Sequence, residues 1–407
     1  MVNFLPHMIV RKFSTALTAF FLALAASAQG PIVYGWYPSW SSQAAVDGLD
    51  PSLLTHLSWF DAQVDTATGA LTIPPSWMTG RPAAWALEHG IALHLTVTCF
   101  GTESNTAWLS SRDKRQRTIG DIVEALRQRQ GRGVCIDAES VPGNQRDNLT
   151  AFMGDLSAAL KTTIPVAELT MATPAVDWSN AFDLAALADI CDYLCLMGYD
   201  YYWDTSPTAG PVAPLGGENL SVTRSVDTYL DAGVPPSRLV LGVPLYGRRW
   251  PVSSTNRKAT ATGRATAVTF ATAMTETPSH QTIFDEPTST LWYNDERKGS
   301  LTQTWVDDSL SLARKYGMAR AKGLRGIALW ALGYDGGRRE VWSGIRTAWY
   351  PASTVAEGDG RPERLHEAGR YTILGQEIPP GTSWNGPQII ILTDANGRVY
   401  RRMEARF

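Results

Sequence analysis

Short apolar runs alternate with amphipathic stretches from residue 31 to about residue 349, a pattern typical of alternating strands and helices. The strand-length runs are nearly continuous in their hydrophobicity, as in parallel strands that are buried on both faces. Eight such runs are present, and we predict strands at residues 32–37, 54–60, 91–97, 133–139, 168–173, 193–199, 239–246 and 324–332.

Helical periodicity lies between these runs. Apolar residues recur at i, i+3, i+4 and i+7 in one stretch (Ile119, Ile122, Val123 and Leu126), and Gly131 is the predicted stop. A second helix is predicted over residues 305–321. Eight buried strands alternating with helices predict a (β/α)8 barrel, with functional groups at the carboxyl ends of the strands. A doubly wound open sheet is the alternative, but the sequence lacks a glycine-rich phosphate loop to support it.

The alternation of apolar strand-like runs with helical stretches is interrupted in two places. Residues 252–290 are rich in threonine, serine and alanine with little periodicity, and we predict a short insertion between strands seven and eight. After the barrel, predicted for residues 31–350, residues 351–369 resemble a linker. Residues 370–407 then form a predicted small β-rich module with strand candidates at 371–374 and 388–392.

The amino terminus has the features of a secretory signal. Arg11 and Lys12 precede an apolar run at residues 16–25, and Ala26-Ser27-Ala28 supplies a cleavage motif. The apolar run is shorter than a membrane-spanning helix requires, and no later segment is long and apolar enough to span a membrane. Residues 1–28 therefore predict a secreted or cell-surface protein, with a retained amino-terminal anchor as the alternative.

Composition narrows the functional classes. The chain has 407 residues, 44% hydrophobic and 18% charged, with a net charge of −3. These values suit a folded globular protein and give no indication of binding to nucleic acid or an anionic membrane. Fifteen tryptophans leave some aromatic rings free to stack on sugars. We expect a monomer.

The four cysteines (Cys99, Cys135, Cys191 and Cys195) lie in strand-like apolar stretches. Buried free thiols are one interpretation, and one or two disulfides are the other, because export permits them. No cysteine or histidine spacing predicts a metal site, and no cofactor motif is present.

The strongest chemical signal is the run 133–139, which ends in two acids. Side chains alternate along a strand, so Cys135, Asp137 and Glu139 face the same side. The two carboxylates start roughly 6.5 Å apart at the backbone, close enough to perturb each other's pKa. Such a pair suits glycosidic bond cleavage, although buried acids can also serve a structural role.

Four sequence stretches resemble glycoside hydrolase family 18, the chitinase family, in the correct order across nearly all of residues 31–349. They are VYGWYPSW at 33–40, LTHL at 54–57, LVLGVPLYGR at 239–248 and GIALW at 326–330. The family signature D-x-x-D-x-D-x-E corresponds here to Arg132, Cys135, Asp137 and Glu139. The resemblance implies that Glu139 is the general acid and that Asp137 holds the N-acetyl group of the substrate, whose carbonyl oxygen attacks the anomeric carbon.

Further positions follow from the same resemblance. Met197-Gly198-Tyr199-Asp200 is similar to the family's M-x-Y-D, which implies that Tyr199 donates its hydroxyl to the acetamido group and that Asp200 binds the sugar. Met197 belongs to the same predicted substrate site, and Trp330 would form its apolar floor. Tyr246 and Trp203 are weaker candidates for lining the cleft. His56, His89 and His94 are interpreted as barrel or surface residues.

The signature is also divergent. Cys135 replaces the acid behind Asp137, Ala138 replaces a bulky aromatic, and the third strand lacks the family's S-x-G-G. We expect the activity to be reduced or its pH profile to be shifted, but not abolished. The short insertion favours a shallow cleft. Chitin oligomers and peptidoglycan-type glycans both remain possible substrates. A non-catalytic glycan-binding barrel is the alternative, though such proteins usually lack the acid at the Glu139 position, and an adhesion role is a third.

The carboxyl-terminal tail loosely resembles the sorting modules of type IX secretion cargo. The similarity rests on residues 371–377 and on Gly397-Arg398-Val399-Tyr400. It implies the secretion machinery as a partner. A small β cap or carbohydrate-binding appendage is the alternative.

Overall fold

The computed structural model describes residues 30–350, 366–372, 378–379, 388–393 and 399–404. The chain divides into two units, residues 1–31 and 32–407, and the fold described below belongs to the second. The predicted signal at 1–28 lies outside the described residues. Within those residues, no helix has the length and apolar character needed to cross a membrane.

Strands and helices alternate through residues 32–350. The helices are α1 (Pro75–Thr79), α2 (Arg81–Glu88), α3 (Thr102–Leu109), α4 (Arg112–Arg129), α5 (Arg146–Thr163), α6 (Leu184–Ile190), α7 (Val222–Asp231), α8 (Phe270–Glu276), α9 (Ser309–Ala321) and α10 (Arg339–Trp349). The strands are β1 (Ile32–Pro38), β2 (His56–Val64), β3 (Leu71–Thr72), β4 (Ala92–Phe100), β5 (Gly133–Glu139), β6 (Glu168–Thr173), β7 (Tyr193–Met197), β8 (Leu239–Pro244), β9 (Tyr246–Pro251), β10 (Thr266–Thr269), β11 (Thr282–Asp285), β12 (Thr290–Arg297), β13 (Ser300–Val306) and β14 (Gly326–Trp330).

Eight of these strands form a closed parallel barrel. Their order is β1, β2, β4, β5, β6, β7, β8 and β14, and β14 pairs again with β1. The predicted (β/α)8 barrel is therefore confirmed, and each of the eight predicted strands overlaps one of these. The carboxyl ends of all eight strands lie at one end of the barrel, as the parallel arrangement requires.

The alternation of side chains along β5 explains how the core is divided. Val134, Ile136 and Ala138 belong to the large apolar cluster that joins the strands to the surrounding helices. Cys135 belongs instead to the small cluster inside the barrel, together with aromatic and small residues of other strands. Asp137 is two residues further along the same inward-facing side.

The insertion between the seventh and eighth barrel strands differs from its prediction. It begins at Tyr246 rather than Val252 and continues to Val306, well beyond residue 290. It forms a five-stranded antiparallel sheet in the order β10-β9-β13-β12-β11. Cross-strand pairing supplies the order that local periodicity did not indicate. Because the insertion is longer than predicted, its length no longer favours a shallow cleft.

The helix predicted over residues 305–321 also starts later. Trp305 lies in β13, where its ring stacks on Trp292 of β12 with centroids 5.4 Å apart, and α9 begins at Ser309. Asp308 caps this helix by accepting a hydrogen bond from the Ser311 amide at 2.8 Å. The apolar residues before Asp308 belong to the sheet, which explains the early prediction.

Three strands follow the barrel: β15 (His366–Thr372), β16 (Gln388–Thr393) and β17 (Val399–Glu404). They pair antiparallel in that order. The first begins inside the stretch predicted as a linker, and the third was not predicted. Part of the resemblance to a sorting module, residues 373–377 and 397–398, lies outside the described residues.

The four cysteines, all within the described residues, are buried and unpaired. Buried thiols are thus the arrangement present in this structure. Two of the histidines are barrel residues: His56 begins β2 and His94 lies inside β4, both buried. Burial lowers the pKa of His94 to about 4. His89 is exposed just after α2.

Candidate active site

The acid pair lies where β5 ends. Asp137 is 4% exposed inside the barrel, and its Oδ1 has no hydrogen-bond partner among the described protein atoms. Glu139, one step further along the same face, is exposed at the end of the strand. One carboxyl group is therefore held beneath the surface of the cleft and the other stands at its mouth.

Asn105 of α3 fixes the end of this strand. Its Nδ2 lies within hydrogen-bond distance of the backbone carbonyls of Glu139 at 2.7 Å, Gly101 at 3.0 Å and Cys99 at 3.1 Å, and its two protons are shared among them. The side chain is fully buried, so its amide protons depend on these carbonyls for hydrogen bonds. Asn105 was not predicted as a site residue, because a lone asparagine in an amphipathic stretch gives no sequence signal.

Burial and like charges raise both acid pKa values. Burial raises the pKa of Asp137 well above its usual value, and the charges of Glu139 and Asp61 add to the effect. Partial burial also raises the pKa of Glu139, with a further contribution from Asp200. A raised pKa keeps a carboxyl group protonated at higher pH, which is the property a general acid needs.

Asp61 is an acid of this site that the sequence analysis missed. It is 6% exposed at an irregularity in β2, and its Oδ2 accepts a hydrogen bond from the Thr98 hydroxyl at 2.6 Å. Thr98 pairs in register with Asp137 on the next strand. Asp61 thus supplies a buried carboxylate two strands away from Asp137, whereas Cys135 supplies none. The pairing of β2 with β4 and of β4 with β5 brings the two acids together.

We expect the Asp61→Asn variant to have a pH–activity profile displaced to lower pH. Loss of the nearby negative charge lowers the pKa of Asp137, while the asparagine oxygen can still accept the Thr98 hydrogen bond. The measurement is kcat/KM from pH 4 to 9. Asp65→Asn, an exposed acid beyond the end of the same strand, is the matched control. Equal displacement in both variants, or none in Asp61→Asn, would contradict the role assigned to Asp61.

The replacement of the signature's first two acids has different consequences at each position. Burial, together with the charge of Asp137, raises the pKa of Cys135 to about 12, so it is a neutral thiol behind that acid. Arg132 precedes β5 at the opposite end of the barrel, where its Nε lies 4.0 Å from Glu168 Oε1. Arg132 therefore lies outside the candidate site.

Tyr199 and Asp200 follow β7 and join the acid pair. Burial raises the pKa of Tyr199 well above its usual value, and the neighbouring Asp137 and Glu139 charges contribute, so its hydroxyl keeps its proton. The ring rests beside Gly242 of β8, where an added Cβ would come within 3.3 Å of Tyr199 and 2.7 Å of the Leu196 carbonyl. Glycine at this position makes room for the tyrosine.

Asp200 is held by the insertion sheet. Its Oδ1 accepts hydrogen bonds from the Tyr246 hydroxyl at 2.7 Å and from Arg248 Nη2 at 2.9 Å and Nε at 3.1 Å. Its φ of +57° is in the left-handed region that aspartate tolerates better than most residues. Tyr246, a weak candidate by sequence, thus contacts the site through Asp200, and Arg248 neutralises the charge of that acid.

Aromatic side chains surround the acids. Trp330, at the end of β14, packs edge-on against Phe60 at 4.8 Å. A cavity of about 210 Å³ is lined by residues that include Glu139, Met197, Tyr199, Asp200, Trp178 and Trp203. The indole of Trp203 is 48% exposed and that of Trp178, which was not predicted, is 79% exposed. The candidate site residues therefore meet at one end of the barrel.

The family model described as "Glycosyl hydrolases family 18" matches residues 33–335. A Bacillus subtilis protein named "Putative sporulation-specific glycosylase" is 28% identical over 245 residues, which cover 59% of this chain. The chain spans only 56% of the length of that relative. A class V chitinase of Lotus japonicus is 24% identical over 334 residues, covering 75% of this chain and 83% of the relative.

A solved structure has the same fold. The family 18 chitinase of Cycas revoluta, determined in complex with (GlcNAc)3, superposes with a TM-score of 0.71 at 22% sequence identity. The match covers 78% of this chain and 99% of that one.

Proposed function

Because the chain belongs to glycosyl hydrolases family 18, we propose that it is a glycosidase that cleaves β-linked N-acetylhexosamine glycans with retention of configuration. The observation that carries the proposal is the pairing of Asp137 with Glu139 at the carboxyl end of β5, with the Tyr199 hydroxyl beside them. One acid at the mouth and one acid beneath it suit two separate roles in the reaction.

In the first step the protonated Glu139 donates its proton to the glycosidic oxygen, and the bond from that oxygen to C1 breaks. The acetamido carbonyl oxygen of the same sugar forms a new bond to C1, giving a cyclic oxazolinium intermediate. Asp137 accepts a hydrogen bond from the acetamido N–H, and the Tyr199 hydroxyl donates a hydrogen bond to the carbonyl oxygen. The negative charge of Asp137 stabilises the positive charge that develops on the ring.

In the second step the Glu139 carboxylate accepts a proton from water, and the water oxygen attacks C1. The bond from C1 to the acetamido oxygen breaks, which restores the N-acetyl group and leaves a hydroxyl in the original configuration. The enzyme supplies no nucleophile of its own. The two displacements at C1 account for retention.

The aromatic rings suit a sugar chain. Trp330 is partly exposed at the end of β14, at the same end of the barrel as the acids. Trp203 and Trp178 offer further exposed indoles along the same cavity. Sugar rings stack their C–H faces on such side chains, and the polar groups of Asp200 and Glu139 then fix the orientation.

The substrate class could be chitin oligomers or peptidoglycan-type glycans. One relative carries a name that refers to sporulation and another a name that refers to chitin, so both classes enter the experiment. Export through the segment at residues 1–28 and recognition of the tail by secretion machinery remain predictions, as does a monomeric state.

A second candidate function is glycan binding without cleavage. The observation that favours it is Cys135, which leaves a neutral thiol where the family signature has an acid. Glu139 argues against it, since an acid with a raised pKa at the mouth of the site has no evident use in a lectin.

The test is incubation of the purified protein with N-acetylglucosamine oligomers and with peptidoglycan glycan strands, with products resolved by mass and their initial anomer determined by NMR. The Glu139→Gln variant controls for contaminating activity. We expect cleavage of at least one substrate class with a β-anomeric initial product. An α-anomeric product would contradict retention, and binding of both substrates without any cleavage would favour the lectin.

A further inference from the structure

Two histidines and a glutamate meet at the amino-terminal end of the barrel, opposite the candidate active site. His56 begins β2, His94 lies near the start of β4, and Glu168 is the first residue of β6. They are far apart in the sequence, so no spacing motif pointed to them. Both imidazoles are buried, and the Glu168 side chain is 22% exposed.

The ligand atoms of the three side chains converge. His56 Nε2 lies 2.8 Å and His94 Nε2 3.1 Å from the same oxygen, Glu168 Oε2. All three atoms lie within 4.8 Å of one another. Ligands of a tetrahedral zinc ion, at bond lengths of about 2.0–2.1 Å, are separated by about 3.3 Å. One ion could bind all three atoms after Glu168 Oε2 moves a few tenths of an ångström away from each nitrogen and the two nitrogens, which lie no more than 4.8 Å apart, move closer together.

The hydrogen bonds behind His56 fix which of its nitrogens is available. The Thr55 hydroxyl donates to the Val33 carbonyl at 3.0 Å, so its oxygen can accept a hydrogen bond from His56 Nδ1, 2.7 Å away. His56 Nε2 shares a proton with Glu168 Oε2 at 2.8 Å when no ion is bound, and an ion that displaced this proton would bind the Nε2 lone pair while Nδ1 kept its own proton. Histidines that bind metals are commonly oriented by such a second hydrogen bond.

His94 has a comparable support. Its Nδ1 lies 3.2 Å from the Tyr34 hydroxyl, whose oxygen can accept a proton from that nitrogen. The remaining Glu168 oxygen, Oε1, faces Arg132 at 4.0 Å, which leaves Oε2 as the single carboxylate ligand. The partial exposure of Glu168 gives an ion a route from solvent and room for water as a fourth ligand.

We propose that His56 Nε2, His94 Nε2 and Glu168 Oε2 form a zinc-binding site that joins β2, β4 and β6 at the closed end of the barrel. Two imidazoles and one carboxylate are a donor set that zinc accepts. The site is structural, because it lies at the amino-terminal ends of the strands while the chemistry lies at the carboxyl ends. A bound ion would stabilise the folded state by mass action.

The test begins with the full-length protein treated with a chelator and dialysed. Titration with ZnCl₂ in a calorimeter is expected to give one equivalent per chain and a rise in Tm at saturation. Titration with Co²⁺ is expected to give the absorption of a four-coordinate nitrogen and oxygen site, without a thiolate charge-transfer band. A thiolate band would assign the metal to the cysteines and overturn the proposal.

Two variants separate ligation from folding. His94→Gln is expected to weaken zinc binding at least about 100-fold. Thr55→Val, which removes the acceptor behind His56 together with the hydrogen bonds of that hydroxyl to the Val33 backbone, is expected to weaken it about 10–100-fold. His89→Gln, at an exposed histidine outside the cluster, is the matched control. Wild type that takes up no stoichiometric zinc, or unchanged affinity in Thr55→Val and His94→Gln, would overturn the proposal. Should His94→Gln fail to fold, Thr55→Val and the Co²⁺ spectrum of wild type still decide.

Discussion

The Glu139→Gln variant is expected to lose about 10²–10⁴-fold in kcat on N-acetylglucosamine oligomers, with little change in KM. Glutamine has the same shape as the acid but no proton to donate, so the leaving oxygen must depart as an alkoxide. The backbone carbonyl of residue 139 would still accept the Asn105 hydrogen bond, so the local structure is retained. The measurement is steady-state kinetics across several substrate concentrations.

A change of leaving group tests the role more sharply. An aryl glycoside with a good leaving group needs little protonation, so its first step is expected to proceed nearly as fast in Glu139→Gln as in wild type. Tyr199→Phe is the matched comparison, because it removes a donor to the acetamido group and should slow both substrates alike. If the two substrates lost the same factor in Glu139→Gln, Glu139 would not be the general acid.

The barrel was predictable because its signal is local and repeated. Each strand is a short apolar run, and family 18 motifs occur at four of them, so the predicted family membership and fold are both confirmed. The sheet of the insertion was missed because its strands are rich in threonine and show no regular alternation of buried and exposed residues. Their pairing, such as that of Trp292 with Trp305, joins residues that no periodicity connects.

The candidate site was predictable only where it follows a motif. Asp137, Glu139 and Tyr199 come from two such motifs, and the structure brings them to one end of the barrel. Asp61 was missed because its significance depends on the pairing of β2, β4 and β5, which sets Thr98 between Asp61 and Asp137. Asn105 was missed because a lone asparagine gives no sequence signal for its contact with the end of β5. Arg132, by contrast, belongs to the opposite end of β5 despite its position in the signature.

The Asp137→Asn variant is expected to have opposite effects on activity and on stability. Activity should fall about 10²–10³-fold in kcat, since the buried charge that stabilises the developing positive ring is lost. Stability should rise at neutral pH. Burial, Glu139 and Asp61 hold the pKa of Asp137 above its unfolded value, so the contribution of this group is fully present at low pH and is lost as pH rises through the folded pKa.

The measurement is Tm by calorimetry from pH 4 to pH 8, where the gain of the variant over wild type should be small at pH 4 and grow with pH. Asp200→Asn is the matched contrast. Asp200 is paired with Arg248 at 2.9 Å, so its replacement leaves that guanidinium without its carboxylate partner and should lower Tm near neutral pH. The two acids lie in the same cleft, but the surroundings of Asp137 disfavour its negative charge, whereas Arg248 favours the negative charge of Asp200. A Tm loss in Asp137→Asn that grew with pH would mean that the Asp137 charge is stabilised in the fold, and the proposed division of roles between Asp137 and Glu139 would then fail.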